Sequence, residues 1–206
     1  WRSKKNKKNF FIIGNYSLFK KQIDKIDIKL SVSKIDTIGE VENFQKLHIL
    51  DVPLKSKSIF KHSDIVTKNY IFKCFEIAHN LATNKEIKGF INAPVNKKIF
   101  SNKYLGVTEY LASKNKVRHK EVMMIYNKKL SVVPLTTHIE IKKITGKIQL
   151  NLIKKKIFTL NESYYKLFKK KPKIIILGLN PHNSENRKNS IENKIITPAV
   201  KILNKL

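Results

Sequence analysis

Cysteine, arginine, glycine and proline are all scarce in this chain, and the scarcities narrow what it can be. The single cysteine, Cys74, excludes an internal disulfide, and its place inside a helical pattern reads as a small buried hydrophobe more readily than as a nucleophile. Glycine and proline number six each, and no low-complexity linker divides the chain. No uninterrupted apolar run approaches the roughly 20 residues of a membrane span. The opening Trp1-Arg2-Ser3-Lys4-Lys5 leads into no apolar signal-peptide core. A soluble cytoplasmic protein without a membrane partner is the expectation.

Acidic residues are also few: 15 against 43 lysines and arginines, a formal charge of +28. Such an excess ordinarily points to nucleic acid, because cations that neutralise phosphates release counterions. Here only Arg2, Arg118 and Arg187 are arginine, although arginine is the residue suited to bidentate reading of phosphate and guanine. The lysines are spread along the whole chain rather than gathered in one aromatic-laced stripe. They read as solvated faces, with no specific nucleic-acid partner and some loose attraction to polyanions.

What is present is a patterned globular chain. At 206 residues and 41% hydrophobic content, it can build one medium or two small domains with a real core. Phe10 to Gly14 predicts a short buried strand ended by glycine, Ser17 to Ile26 a helix, and Ile28 to Val32 and Leu47 to Leu50 further strands. Ser63 or Asp64 can cap a long helix reaching about Asn84. Gly89-Phe90-Ile91 predicts a strand that breaks at the Asn92 to Lys97 turn. Val122 to Tyr126 and Leu130 to Leu135 have hairpin spacing. Ile139 to Phe168 reads as helix broken near Thr145-Gly146, Ile174 to Leu177 as a central strand, and Ile191 to Leu206 as a closing helix. Alternating strands and helices predict an α/β sheet with helices on its faces. The expected division is residues 1–100 as part of a first α/β domain and 101–206 as part of a second.

Two histidines stand out, each following an apolar run: Leu135-Thr136-Thr137-His138 and Leu177-Gly178-Leu179-Asn180-Pro181-His182. That pattern places an imidazole at the carboxyl end of a strand, where open α/β sheets form ligand crevices. Two neutral imidazoles suggest a divalent metal able to polarise a hydroxyl or carbonyl. Against this, histidines so far apart carry no ligand-spacing signature. His48, His62, His79 and His119 match no motif and read as packed or surface residues. Lys97, after the Asn-Pro turn, can meet a phosphate or simply be solvated.

Four segments occur in order: Ile91-Asn92-Ala93-Pro94-Val95-Asn96-Lys97, Gly106-Val107-Thr108-Glu109-Tyr110-Leu111-Ala112, Thr136-Thr137-His138-Ile139 and Gly178-Leu179-Asn180-Pro181-His182. The last continues through Glu185, Glu192 and Ile196-Thr197-Pro198-Ala199. Together they resemble the 4-hydroxythreonine-4-phosphate dehydrogenase family, from about Phe10 to the end. The resemblance implies a three-layer α/β/α fold similar to isocitrate and isopropylmalate dehydrogenases, with two domains flanking a cleft that a second subunit completes. It implies NAD-dependent oxidation with decarboxylation of 4-phosphooxy-L-threonine to 3-amino-2-oxopropyl phosphate, a step in making pyridoxal 5′-phosphate. It also implies a homodimer and a divalent ion (Zn, Mg or Co) held by three histidines, two of which match His138 and His182. The third belongs to a Tyr-His-Asp-Gln-Gly type segment absent here. The family's Gly-Glu-Pro-Ala-Gly-Ile-Gly-Pro-Glu type opening is absent too, so the expectation is a fragment incomplete at both ends. Nothing in the sequence singles out residues that contact the nicotinamide.

The substrate-binding positions implied are Val107 and Thr108. The Thr108 hydroxyl can donate to an anionic substrate, and its residue type also suits a helix N-cap, with Glu109 near the helix's positive end. Val107 replaces the family histidine and can neither donate nor carry charge, a loss on the order of 1.5 to 3 kcal/mol, about one to two decades in affinity. Asn180 and Pro181 set a turn that aims His182. Beyond it, Asn183-Ser184-Glu185-Asn186-Arg187 replaces a glycine-rich stretch; Asn186 suits a left-handed conformation, Ser184 and Arg187 less so. Two other readings stay open: a dehydrogenase of a phosphorylated threonate or erythronate, and an inactive truncated polyanion-binding protein.

Overall fold

The computed structural model describes residues 10–41, 46–54, 64–100 and 103–205. The chain divides into two compact units, residues 1–99 and 100–206. The first is built on a parallel sheet of β1 (Ile12–Gly14), β2 (Val32–Ile35) and β3 (Leu47–Asp51), in the order β1-β3-β2. Leu47, His48, Ile49 and Leu50 of the central strand are all buried, as expected where a parallel strand keeps no solvent face. His48 is its only buried polar residue, and its Nδ1 lies 2.8 Å from Ser33 Oγ on the paired position of β2. It is a satisfied core histidine.

Helix α1 (Tyr16–Lys25) starts where the sequence supplies a cap: Asn15 is extended and its Oδ1 accepts the Leu18 N–H at 2.9 Å. It buries Ile23 and packs against β2 and β3. Helix α2 (Asp64–Thr83) buries Phe75 and Ala78 and packs against β1. The expected cap at Ser63, like His62, lies outside the described residues.

The carboxyl ends of β1 and β3 meet in a polar node. The Asn15 N–H donates to Tyr70 Oη at 2.6 Å, the Asn15 amide to the Val52 carbonyl at 3.1 Å, and the Tyr16 N–H to Asp51 Oδ1 at 2.8 Å. A β-carbon on Gly14 would stand only 3.2 Å from Tyr70 Oη, which is why β1 ends on glycine. Burial, then the neighbouring Cys74, pushes the Tyr70 phenol well above its ordinary range, and burial likewise pushes the Cys74 thiol up. Both stay protonated at neutral pH, which makes Cys74 a poor nucleophile.

The second unit is mostly helical among its described residues. Helix α3 (Val107–Lys114) is followed by a single antiparallel pair, Ile125 with Val132. The short α4 (Ile144–Lys147) precedes the long α5 (Leu150–Phe168), and a π-helical turn, Glu192–Ile196, runs into α6 (Thr197–Leu203). Its core is Ile148, Ile153, Ile196 and Ala199, against which Leu135, Ile144, Ile157, Ile176 and Val200 pack.

Several predicted elements are corrected here. The helix break falls at Ile148–Gln149 rather than at Thr145-Gly146, because Ile148 turns extended and enters the core; burial outweighs the local glycine signal. Strand β2 begins where the predicted Ile28 to Val32 strand was to end. The hairpin reduces to the Ile125–Val132 pair, both residues being exposed and so gaining no burial from a longer ladder. Ile174 to Leu177 and Gly89 to Ile91 form no ladder with any described strand. In the former, Ile176 packs on the core while Ile175 is 84% exposed and Leu177 78%; Ile91 is fully exposed. Apolar runs specify a buried strand only if both neighbours are in place.

Ile153→Ala is expected to destabilise the second unit by about 2 to 5 kcal/mol, whereas Ile175→Ala should change stability by less than about 0.5 kcal/mol. Denaturant unfolding of the two variants checks this. A loss at Ile175 as large as that at Ile153 would show that residue 175 is buried after all.

Candidate functional site

Of the positions singled out by sequence, Val107, Thr108, His138 and His182 lie in the second unit, and Lys97 lies in the first. Val107 and Thr108 are the first two residues of α3, and the cap is Gly106, whose backbone is extended. Thr108 is therefore inside the first turn rather than at the cap, with its side chain exposed. An aromatic cluster fixes this helix. Tyr110 is buried, its ring centroid 6.1 Å from Phe100 and 5.5 Å from Tyr104. The Tyr104 hydroxyl lies 3.4 Å from Ser113 Oγ, and that hydrogen bond draws the phenol below its ordinary pKa.

His138 follows Leu135, which is anchored on the core, and it is exposed. Its φ of 56° puts a non-glycine residue in the left-handed region. Such a conformation costs on the order of 1 to 3 kcal/mol and tends to collect at binding and catalytic positions.

His182 sits in a turn made by its own neighbours. The Asn183 N–H donates to the Asn180 carbonyl at 3.0 Å, closing a four-residue turn with Pro181 second, where its fixed φ fits. The Asn180 Oδ1 accepts the His182 N–H at 3.0 Å, the local bond its residue type promised. The ring is exposed. The chain then tightens: the Glu185 N–H donates to the His182 carbonyl at 2.8 Å, and Arg187 pairs with Glu185 at 2.6 Å. Left-handed backbone falls on Asn183 and Glu185 rather than on Asn186, so this loop reaches without glycine what its composition made unfavourable.

Beneath the loop lies a carboxylate that sequence reasoning left without a role. Glu192 is only 3% exposed, and its Oε1 accepts the Leu179 N–H at 3.0 Å. Gly178 permits the close approach of the Asn183 side chain: a β-carbon there would lie 2.7 Å from Asn183 Oδ1, though only in ordinary contact, 3.5 Å, with Glu192 Cγ. The clue available beforehand was its place in the motif that continues the Gly178 to His182 segment, which marks the residue but not its role.

The structure thus ties His182, Asn180, Glu185 and Glu192 into one loop. His138 stands on a separate segment of the same unit. Among the described residues no group of three or more His, Cys, Asp or Glu side chains is placed to hold an ion. The two exposed imidazoles fit a divalent ion in donor type and in access, as two members of a larger ligand set. A dinucleotide finds no such fit at the β1–α1 turn, where Asn15 and Tyr70 already satisfy each other. Lys97 is exposed on the 3₁₀ turn Lys97–Phe100.

Comparison with known proteins decides the relationship. A family model described as pyridoxal phosphate biosynthetic protein PdxA matches residues 6–206. The chain belongs to the PdxA family. It is 31% identical over 188 residues to 4-hydroxythreonine-4-phosphate dehydrogenase of Aquifex aeolicus, an alignment covering 88% of this chain and 57% of that protein. It is 27% identical over 160 residues to D-threonate 4-phosphate dehydrogenase of Salmonella typhimurium, covering 75% and 49%. A crystal structure of 4-hydroxythreonine-4-phosphate dehydrogenase from Klebsiella pneumoniae superposes with a TM-score of 0.81 at 23% identity, over 95% of this chain and 62% of that one. The α/β fold of these PdxA-family dehydrogenases is therefore the fold of this chain, which spans about three fifths of their length.

Gly178→Ala is expected to swing the Asn183 side chain aside, shift the amide resonances of residues 180–185, and reduce stability on the order of 1 kcal/mol. Loop resonances identical to those of the unaltered chain would contradict the close approach at residue 178.

Proposed function

We propose that this chain is part of an NAD-dependent dehydrogenase that oxidises and decarboxylates 4-phosphooxy-L-threonine to 3-amino-2-oxopropyl phosphate in pyridoxal 5′-phosphate synthesis. The observation that carries the reading is the pair of exposed imidazoles, His138 and His182, on two shaped segments of a PdxA-family unit. Their neutral ring nitrogens would hold a divalent ion, Zn, Mg or Co. The chemistry such an ion supplies when bound is stabilisation of negative charge on the substrate oxygen.

The chain's own residues do the rest of what the reading needs. Asn180 and Pro181 orient His182. Thr108, exposed on the first turn of α3, offers a hydroxyl to an anionic group near the positive end of that helix. The substrate loses a hydride from its hydroxyl-bearing carbon and a proton from the hydroxyl, giving a 3-keto acid that then loses carbon dioxide. The NAD requirement rests on family membership. So do the homodimer with a shared cleft and the cytoplasmic setting; no described helix is long and apolar enough to cross a membrane.

Val107 favours a second reading. An apolar residue where the family places a donor removes one contact to an anionic substrate and so alters which substrate is held, and a relative bearing the name D-threonate 4-phosphate dehydrogenase aligns over three quarters of this chain.

Expressed from its complete reading frame, the enzyme is expected to reduce NAD with 4-phosphooxy-threonine. His138→Ala and His182→Ala should each lower kcat by about a hundredfold or more with circular dichroism unchanged. Full turnover in both variants would remove the metal role. Turnover on D-threonate 4-phosphate exceeding that on 4-phosphooxy-threonine would establish the second reading. Salt-sensitive binding to nucleic acid with no turnover on either substrate would favour the polyanion-binding alternative.

A further inference from the structure

We infer that Glu192 is a positioning residue for His182: its buried carboxylate fixes the loop that carries the imidazole by accepting the Leu179 N–H. This rests on the metal-site reading of His182 and deepens it.

A carboxylate 97% shielded from water is expensive to bury and is kept only where it bonds to something. Here it bonds to a backbone N–H three residues before His182, at 3.0 Å. Its immediate neighbour completes a clamp: the Asn193 side-chain amide donates to the Arg187 carbonyl at 3.0 Å, five residues after His182. Consecutive residues therefore grip the loop on either side of the imidazole. A second feature points the same way. Residues 192–196 form a π-helical turn, a local widening that often marks a functional position. At its far end Ile196 is buried beside Ile153 in the core, while Glu192 opens the turn beneath the loop. Gly178 lets the loop close over this turn, since a β-carbon there would stand 2.7 Å from Asn183 Oδ1, while its 3.5 Å from Glu192 Cγ is ordinary contact. Groups behind metal-ligating histidines commonly fix ring orientation, and their loss costs about 10- to 100-fold in metal affinity.

The test sets reach against charge in the 206-residue chain. Glu192→Gln keeps an oxygen at the right distance and removes the charge; Glu192→Asp keeps the charge and withdraws the oxygen by one methylene. Hydrogen exchange of the 179–186 amides and Co2+ affinity are read in both. The Gln variant is expected to match the unaltered chain within about threefold in both readouts. The Asp variant should lose about tenfold or more in Leu179 protection and in Co2+ affinity, with its unfolding midpoint little changed. A defective Gln variant beside a normal Asp variant, or two normal variants, would overturn the inference. Should the Asp variant fail to fold, Leu179 protection in the Gln variant decides: retained supports, lost overturns. Should the unaltered chain, which carries two of the three expected histidines, take up no Co2+, the exchange comparison alone decides: Leu179 protection retained in the Asp variant overturns the inference, and protection lost there but kept in the Gln variant supports it.

Discussion

The geometry of the His182 loop depends on one small apolar seam. Ile153 of α5 and Ala199 of α6 are almost completely excluded from water, with Ile148 and Ile196 closing the contact. Burial of this kind, at about 25 cal/mol per Å², fixes where the π-helical turn sits. The turn in turn places Glu192 under Leu179 and Asn193 beside Arg187. The loop makes no such core of its own. Its bonds are short-range and polar, and without the seam behind it they would have nothing rigid to hold.

The two units use polar groups differently. At the sheet ends of the first, Asn15, Asp51 and Tyr70 bond to one another and to backbone, so a region that in open α/β proteins commonly receives ligands is here committed to structure. In the second, the histidines face solvent, and left-handed backbone occurs at His138, Asn183 and Glu185. The same backbone conformation also occurs away from the site, at Asp27, Lys85, Lys116, His119 and Lys169, so it is the motif around His138, rather than its backbone, that sets it apart.

Much of this was legible in the sequence, for identifiable reasons. Asn15 capping α1, the buried run of β3, the length of α2, and the Asn180-Pro181 turn before His182 are all set by residues within a few positions of one another. The strands at 89–91 and 174–177 were misread because an apolar run records suitability for burial, not the presence of a neighbour; Ile175 and Leu177 stand largely exposed. The helix break moved to Ile148 because the core captured that side chain. Glu192 is visible in the sequence as a motif residue but its role is not, because its partner is 13 residues away. Sequence spacing carries no signal for a bond made through a fold. Val107 and Thr108 were named from family resemblance, and the structure adds that they begin α3 inside its first turn.

The central claim is that His138 and His182 serve one cation. The most direct test is titration of the 206-residue chain with Co2+ while following the imidazole resonances of both residues by NMR. The account predicts that the two sets broaden together, along one binding curve, before His48 or His79 is affected. Broadening of one without the other, or at clearly different ion concentrations, would contradict it.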